Sequence, residues 1–299
     1  MSNKNILIAT SSFNSKHSIQ KLKKLNFNIT KNPFGRKLKE QELIQLLKNN
    51  KIETVVAGLE TYSKRVFDKS NIQIISRVGS GIDSIDQKLA KKNKVKIFST
   101  PTAPADAVAE LTVGIMISLS RNLYKMSNNM KNKIWKRENG LLLKKKNICI
   151  VGYGRIGKKV AHLLKPFKAN IIIVDPKVDK NKKNVLSFNQ SLKQADIITF
   201  HINTNNPQIT MKNINKLKKN TILLNASRGN IIDEKALIFG LRNNIIKSAW
   251  LDVFSEEPYF GKLHNEEQLL LTPHCGSFTT ETRIAMEDEA VNNILNNYL

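Results

Sequence analysis

A chain of 299 residues with 40% hydrophobic and 24% charged side chains is long enough for two ordinary domains and has globular composition. No apolar run approaches the roughly 20 residues that span a bilayer, the first apolar stretch of about four residues is too short for a signal-peptide core, and Cys149 and Cys275 lie too far apart for a disulfide framework or a paired-Cys metal site. The net charge of +25 is spread along the chain in short lysine runs such as "KKK" at 144–146, with no base-reading helix or aromatic stacking series, so it reads as solvated basic faces rather than a nucleic-acid surface.

The cysteine usage and the lack of a targeting segment place the protein in a reducing cytoplasm, with no membrane span and no metal. In chain order, short β-branched apolar runs predict strands over 5–10, 27–30, 53–58, 72–76 and 95–99. A second series follows over 147–152, 170–175, 196–200, 221–225, 248–253 and 269–272. Their nearly continuous hydrophobicity suits strands buried on both faces of parallel sheets. Periodic segments between them, such as "KEQELIQLLKNN" (39–50) and "DEKALIFGLRNN" (233–244), read as helices, and the alternation predicts a doubly wound α/β architecture. The stretch 105–135 breaks that rhythm. It lacks proline and predicts one long helix joining two sheets, with a domain boundary just before it, near "STPTAP" (99–104).

"NICIVGYGRIGKKVAHLL" (147–164) holds Gly152, Gly154 and Gly157 in Gly-x-Gly-x-x-Gly spacing, with Arg155 and Ile156 inside the turn. The pattern alone is weak, but here it follows a strand, opens a helix, and is followed by Asp175 at the end of the next strand, 18 residues after the third glycine. Gly152 suits the tight turn, Gly154 a close backbone approach to a pyrophosphate, and Gly157 close helix–strand packing. The helix N-terminus directs N–H groups and a positive dipole end at the phosphates. Asp175 can accept hydrogen bonds from both adenosine ribose hydroxyls and would repel a 2′-phosphate, which favours NAD over NADP.

Ligands of open α/β sheets bind beyond the carboxyl ends of the strands. Three later strands deliver reactive side chains there: Arg228 in "NASRGNIID", Asp252 and Glu257 in "LDVFSEEP", and His274 in "LTPHCGS". Singly, a loop arginine is ordinarily a solvated charge, a glutamate before proline a surface turn, and a lone histidine structural. Together they form a set for hydride transfer. Arg228 would fork onto a substrate carboxylate, His274 would exchange a proton with the substrate oxygen, and Glu257 would fix the imidazole tautomer and stabilise its cation. A metal role for His274 lacks partners at ligand spacing. A Cys275–His274 nucleophile pair is disfavoured because adjacent residues seldom aim their side chains at each other.

The ordered series "GYGRIG", "NASRGNIIDEKAL", "LDVFSEEP" and "TPHCGS" resembles the D-isomer-specific 2-hydroxyacid dehydrogenases, and "ISRVGSGIDSID" (75–86), "TPTAPADAVAELTVGIM" (100–116) and the tryptophan of "IWKRENG" (134–140) agree with them. Through "AGLETYSKRVF" (57–67) and "EEPYFGKL" (256–263) the chain is most similar to phosphoglycerate dehydrogenase-like members. The resemblance implies a flavodoxin-like substrate domain of residues 1–99 and 279–299, with a Rossmann NAD-binding domain, 100–278, inserted into it and a catalytic cleft at the hinge. It implies catalytic roles for Arg228, Glu257 and His274, a place for Asp252 near the nicotinamide carboxamide, and a homodimer formed through the long helix. The backbone around Ser80 and Gly81 would cradle the substrate carboxylate. Arg77 beside it either pairs with a distal phosphate or is a structural strand-end arginine.

The implied reaction joins D-3-phosphoglycerate and 3-phosphohydroxypyruvate, as in serine biosynthesis. Glyoxylate or hydroxypyruvate reduction is the alternative within the same chemistry, and an NADH-sensing binding protein on a dehydrogenase scaffold is the alternative outside it. Two departures stand out. "HINTN" (201–205) carries Asn203 and Asn205 where the family often has proline and threonine, and the chain ends without the regulatory extension of some phosphoglycerate dehydrogenases, so serine-type feedback through such a domain is not expected.

Overall fold

A computed structural model of the chain describes residues 4–179 and 181–298. These fall into two compact units, divided after Pro104 and after Gly276. In the first, β1 (Lys4–Ile8), α1 (Lys16–Lys24), β2 (Phe27–Lys31), α2 (Glu40–Asn49), β3 (Thr54–Ala57), α3 (Lys64–Asp68), β4 (Ile74–Arg77), α4 (Gln87–Lys92) and β5 (Lys96–Ser99) alternate. The five strands form a parallel sheet in the order β2-β1-β3-β4-β5, the flavodoxin-like order.

The second unit contains α5 (Pro104–Ser120), α6 (Leu123–Lys131), β6 (Asn147–Val151), α7 (Arg155–Leu164), β7 (Asn170–Val174), α8 (Phe188–Gln194), β8 (Ile197–Phe200), β9 (Thr221–Asn225), α9 (Glu234–Arg242), β10 (Ile246–Leu251) and β11 (Leu269–Leu271). Its parallel sheet runs β11-β10-β9-β8-β6-β7. A single parallel bridge, Ile173↔Val185, continues the sheet past β7, where a doubly wound dinucleotide fold carries its third strand. The final helix, α10 (Thr280–Leu295), belongs to the first unit.

Strand alternation explains why both sheets need helices on both faces. Leu7 and Ala9 enter one core with Leu43 and Leu47 of α2, while Ile6 and Ile8 enter another with Met286, Ala290 and Ile294 of α10. In the second sheet Cys149 and Val151 face the α8–α9 side with Leu192 and Leu237, and Ile148 and Ile150 face Val113 and Val160 of α5 and α7. All eleven predicted strands form. Among the described residues no helix is long and apolar enough to cross a membrane.

The single long helix expected over 105–135 does not form. It divides into α5 and α6 at Asn122, whose φ of 52° lies in the left-handed region. The cause is the returning chain: Leu141 N–H takes the Ser120 carbonyl at 2.7 Å, and Asn122 Nδ2 donates to Asn139 O at 2.9 Å. Gly140 permits that approach, because a Cβ there would stand 2.9 Å from Arg121 Cα. The unit boundaries fall at 104/105 and 276/277 rather than 99/100 and 278/279. Residues 100–104 stay with the first sheet because Thr100 exchanges hydrogen bonds with Gly79 and Ala103 packs on the α10-side core.

Candidate active site

The glycine-rich turn begins where β6 ends. Gly152 takes φ 94°, and a Cβ there would lie 2.5 Å from His201 O, so only glycine fits. Gly157, in the first turn of α7, packs so closely that a Cβ would stand 2.1 Å from Gly152 O. Gly154 caps α7 and has nothing within 4 Å of its Cβ position, which leaves open space over the helix N-terminus. The next strand is followed directly by Asp175, whose carboxylate accepts from Tyr153 N at 2.7 Å and Lys177 N at 2.8 Å. An open glycine before the free N–H groups of Arg155 and Ile156, with a carboxylate fastened to the same turn, fits a dinucleotide pyrophosphate and ribose.

The other side chains stand on the loops after β9, β10 and β11. Buried Asn225 ends β9 and folds its loop back on itself: Oδ1 accepts from Ser227 N and Oγ, and Nδ2 donates to Arg228 O at 2.8 Å. Arg228 is extended, with Nη1 donating to Ser227 O at 2.8 Å. A Cβ on Gly229 would come within 1.9 Å of Phe254 C, so this glycine lets the Arg228 loop lie directly on the loop that carries Glu257. That second loop is held by Tyr259, which stacks on Phe254 at 4.5 Å, donates to Glu234 Oε2 and accepts from Leu263 N.

Glu257 and His274 meet. Glu257 Oε1 accepts from Phe254 N at 3.1 Å, and Oε2 lies 2.8 Å from His274 Nδ1. An ionised carboxylate only accepts, so Nδ1 carries the proton and Nε2 is the ring nitrogen left for a substrate. The imidazole is 44% exposed, open enough to be reached. Asp252, 1% exposed, does not reach outward. It accepts from Thr272 Oγ1, Cys275 N and Gly276 N and so holds the His274 loop. Burial and then the Asp252 carboxylate push the Cys275 thiol up, so it stays protonated at neutral pH and is a poor nucleophile. Among the described residues no group of three or more His, Cys, Asp or Glu could hold a metal.

On the first unit, Arg77 ends β4 and its guanidinium lies over Gly79, where a Cβ would be 1.9 Å from Nη1. Gly79 N donates to Thr100 Oγ1 at 2.7 Å, which sets the start of the loop carrying Ser80 and Gly81. In "HINTN", Asn203 and Asn205 are exposed and the segment has no regular structure.

Thr272 and His201 were not singled out from the sequence. Thr272 lies inside the "TPHCGS" motif but shows its role only through contacts. His201 follows β8 with Nε2 3.0 Å from Thr199 Oγ1 and Nδ1 buried without a hydrogen-bond partner. Burial pulls its pKa down to about 4, so it is neutral at pH 7.

Comparison with known proteins places this geometry. The model of the "D-isomer specific 2-hydroxyacid dehydrogenase, NAD binding domain" family matches residues 113–276. A D-3-phosphoglycerate dehydrogenase of Methanocaldococcus jannaschii is 33% identical over 83% of this chain, which spans 50% of that protein. A hydroxypyruvate reductase of Thermotoga maritima is 29% identical, over 86% of this chain and 88% of its own. A solved glyoxylate reductase from Paecilomyes thermophila superposes with a TM-score of 0.87 at 25% identity, covering 98% of this chain and 95% of that one.

One pH effect follows from His201. The unfolded imidazole takes its proton near the reference of 6.5 and the folded one only near about 4. Between those values the unfolded chain binds more protons, so His201 lowers stability as pH falls through that window. Melting temperatures at pH 6.5 and pH 4 should therefore fall less for His201→Gln than for the parent, and parallel losses would contradict this.

Proposed function

The chain belongs to the D-isomer-specific 2-hydroxyacid dehydrogenase family, and from that premise we propose that it interconverts a D-2-hydroxy acid and its 2-keto acid with NAD. One observation carries the reading: the 2.8 Å pairing of His274 Nδ1 with Glu257 on a loop of an NAD-binding domain. NAD supplies the hydride acceptor. Gly152, Gly154, Arg155, Ile156 and Gly157 are assigned to its pyrophosphate, Asp175 to the adenosine ribose, and the loop that buried Asp252 holds to the nicotinamide end.

In oxidation, neutral His274 takes the hydroxyl proton at Nε2 as the C2–H bond breaks, and Glu257 stabilises the imidazolium that forms. In reduction the protonated ring returns that proton to the carbonyl oxygen. Arg228 forks onto the substrate carboxylate and orients C2. Ser80 and Gly81 are assigned to the same carboxylate through their N–H groups, and Arg77 to the far end of the substrate.

The proposed substrate pair is D-3-phosphoglycerate and 3-phosphohydroxypyruvate, a step of serine biosynthesis. The M. jannaschii relative supports it, as does a cationic Arg77 beside the Ser80–Gly81 loop. A second reading, glyoxylate or hydroxypyruvate reduction, draws on the T. maritima relative and on the Arg77 guanidinium folding over its own Gly79. We place the protein in the cytoplasm, consistent with two free cysteines, and as a homodimer. Five of the twelve large apolar side chains exposed among the described residues lie between 123 and 142, with Trp135 83% and Leu142 70% exposed.

With NADH and a panel of 2-keto acids, His274→Ala should lose at least about 100-fold in kcat while still binding NADH. Arg228→Ala should chiefly raise KM for the keto acid. Parent-like turnover in the first variant, or an unchanged KM in the second, would remove the assignment. Arg77→Leu separates the two substrate readings. Under the first it raises KM about tenfold for phosphohydroxypyruvate but barely for hydroxypyruvate; a uniform change favours the second. Light scattering should return about twice the 33.9 kDa chain mass, falling to one chain in a Trp135→Glu, Leu142→Glu double variant. A monomeric parent would refute the dimer.

A further inference from the structure

His274 takes φ 52°, a left-handed conformation unfavourable for a non-glycine residue, so its surroundings must impose it. It forms the tip of a five-residue loop whose two ends are tied to one point. On the near side, Thr272 continues β11 by donating its N–H to Leu251 O at 3.0 Å, and its Oγ1 lies 2.6 Å from Asp252 Oδ1. On the far side, Cys275 N and Gly276 N donate to the same carboxylate at 2.8 and 2.7 Å. Gly276 is there because a Cβ would stand 2.9 Å from Asp252 Oδ2.

The Thr272 hydroxyl has a second partner, Trp250 Nε1, at 2.8 Å. An indole N–H can only donate, so the single hydroxyl proton is forced toward Asp252. Proton directions are therefore settled along the whole chain, Trp250 to Thr272 to Asp252. Trp250 and Asp252 are 0% and 1% exposed, so no solvent replaces a missing partner at either end.

We propose that Thr272 is a positioning residue for His274: its hydroxyl, polarised by Trp250 and anchored on Asp252, holds the loop that aims the imidazole at Glu257 and the substrate. The proposal rests on His274 being the proton-exchanging group but adds a residue that touches neither substrate nor cofactor. Valine at this position keeps the volume and removes the hydroxyl. It leaves Trp250 Nε1 unpaired and Asp252 one donor short, and the loop loses its near tie.

The test compares Thr272→Val and Thr272→Ser with the full-length parent. Misplacing a catalytic group by about an ångström costs on the order of 100-fold. Thr272→Val should thus lower kcat for keto-acid reduction about 10- to 100-fold, with NADH dissociation constant and keto-acid KM within about threefold. Thr272→Ser, which retains the hydroxyl, should return kcat to within about threefold of the parent. Amide hydrogen exchange at Cys275 and Gly276, read by mass spectrometry, should quicken about tenfold or more in the valine variant only. Three results would each overturn the proposal: parent-like kcat and exchange in Thr272→Val, a serine variant as impaired as the valine one, or lost NADH affinity with kcat intact. If the parent reduces no 2-keto acid, the enzymatic reading fails, and the exchange comparison alone decides whether Thr272 ties the loop.

Discussion

Asp252 directly follows β10 with 1% of its surface exposed, and a carboxylate so placed is tolerated only when its oxygens find donors. It finds three, all from residues 272–276, so satisfying this one buried charge and shaping the His274 loop are the same event. The imidazole then meets Glu257, which stands on a separate loop held by Tyr259 and Phe254. Remove the carboxylate and the left-handed turn at His274 loses the side-chain anchor on both of its sides.

The remaining parts of the site are brought together by close backbone approach. Gly229 lays the Arg228 loop against Phe254, and Gly157 lays α7 against the Gly152 turn. At each point a single added carbon would meet backbone atoms at about 2 Å, so these contacts cannot relax by moving a side chain. Parallel strands make this possible because all of them present their carboxyl ends, and hence their loops, at one edge. His201 adds a half-buried neutral ring beside that edge, its carbonyl close to Gly152.

Charge has a separate, long-range part. A net +25 distributed over solvated faces contributes little to packing, yet it favours the approach of anions such as a dinucleotide or a keto acid. Salt screens the effect beyond about 8–10 Å, so it bears on encounter rather than on the bonded geometry around His274.

All eleven strands were legible from the chain because strands buried on both faces must be apolar at nearly every position, a signal that survives without knowledge of neighbours. The Gly152–Gly157 spacing and the order Arg228, Glu257, His274 were legible for a similar reason, since each motif is local and its residue types answer to one chemistry. What the chain could not announce depends on atoms far apart in sequence. The break falls at Asn122, a residue type that tolerates the left-handed region, but it is fixed there by Leu141 and Gly140 returning to cap α5. The role of Thr272 exists only because Trp250 and Asp252 arrive on the adjacent strand, and the neutrality of His201 arises only from what buries it. Local hydrophobic pattern and motif spacing determined which strands form and which groups are candidates for the site; close packing between distant segments decided where the helices stop and how each candidate group is held.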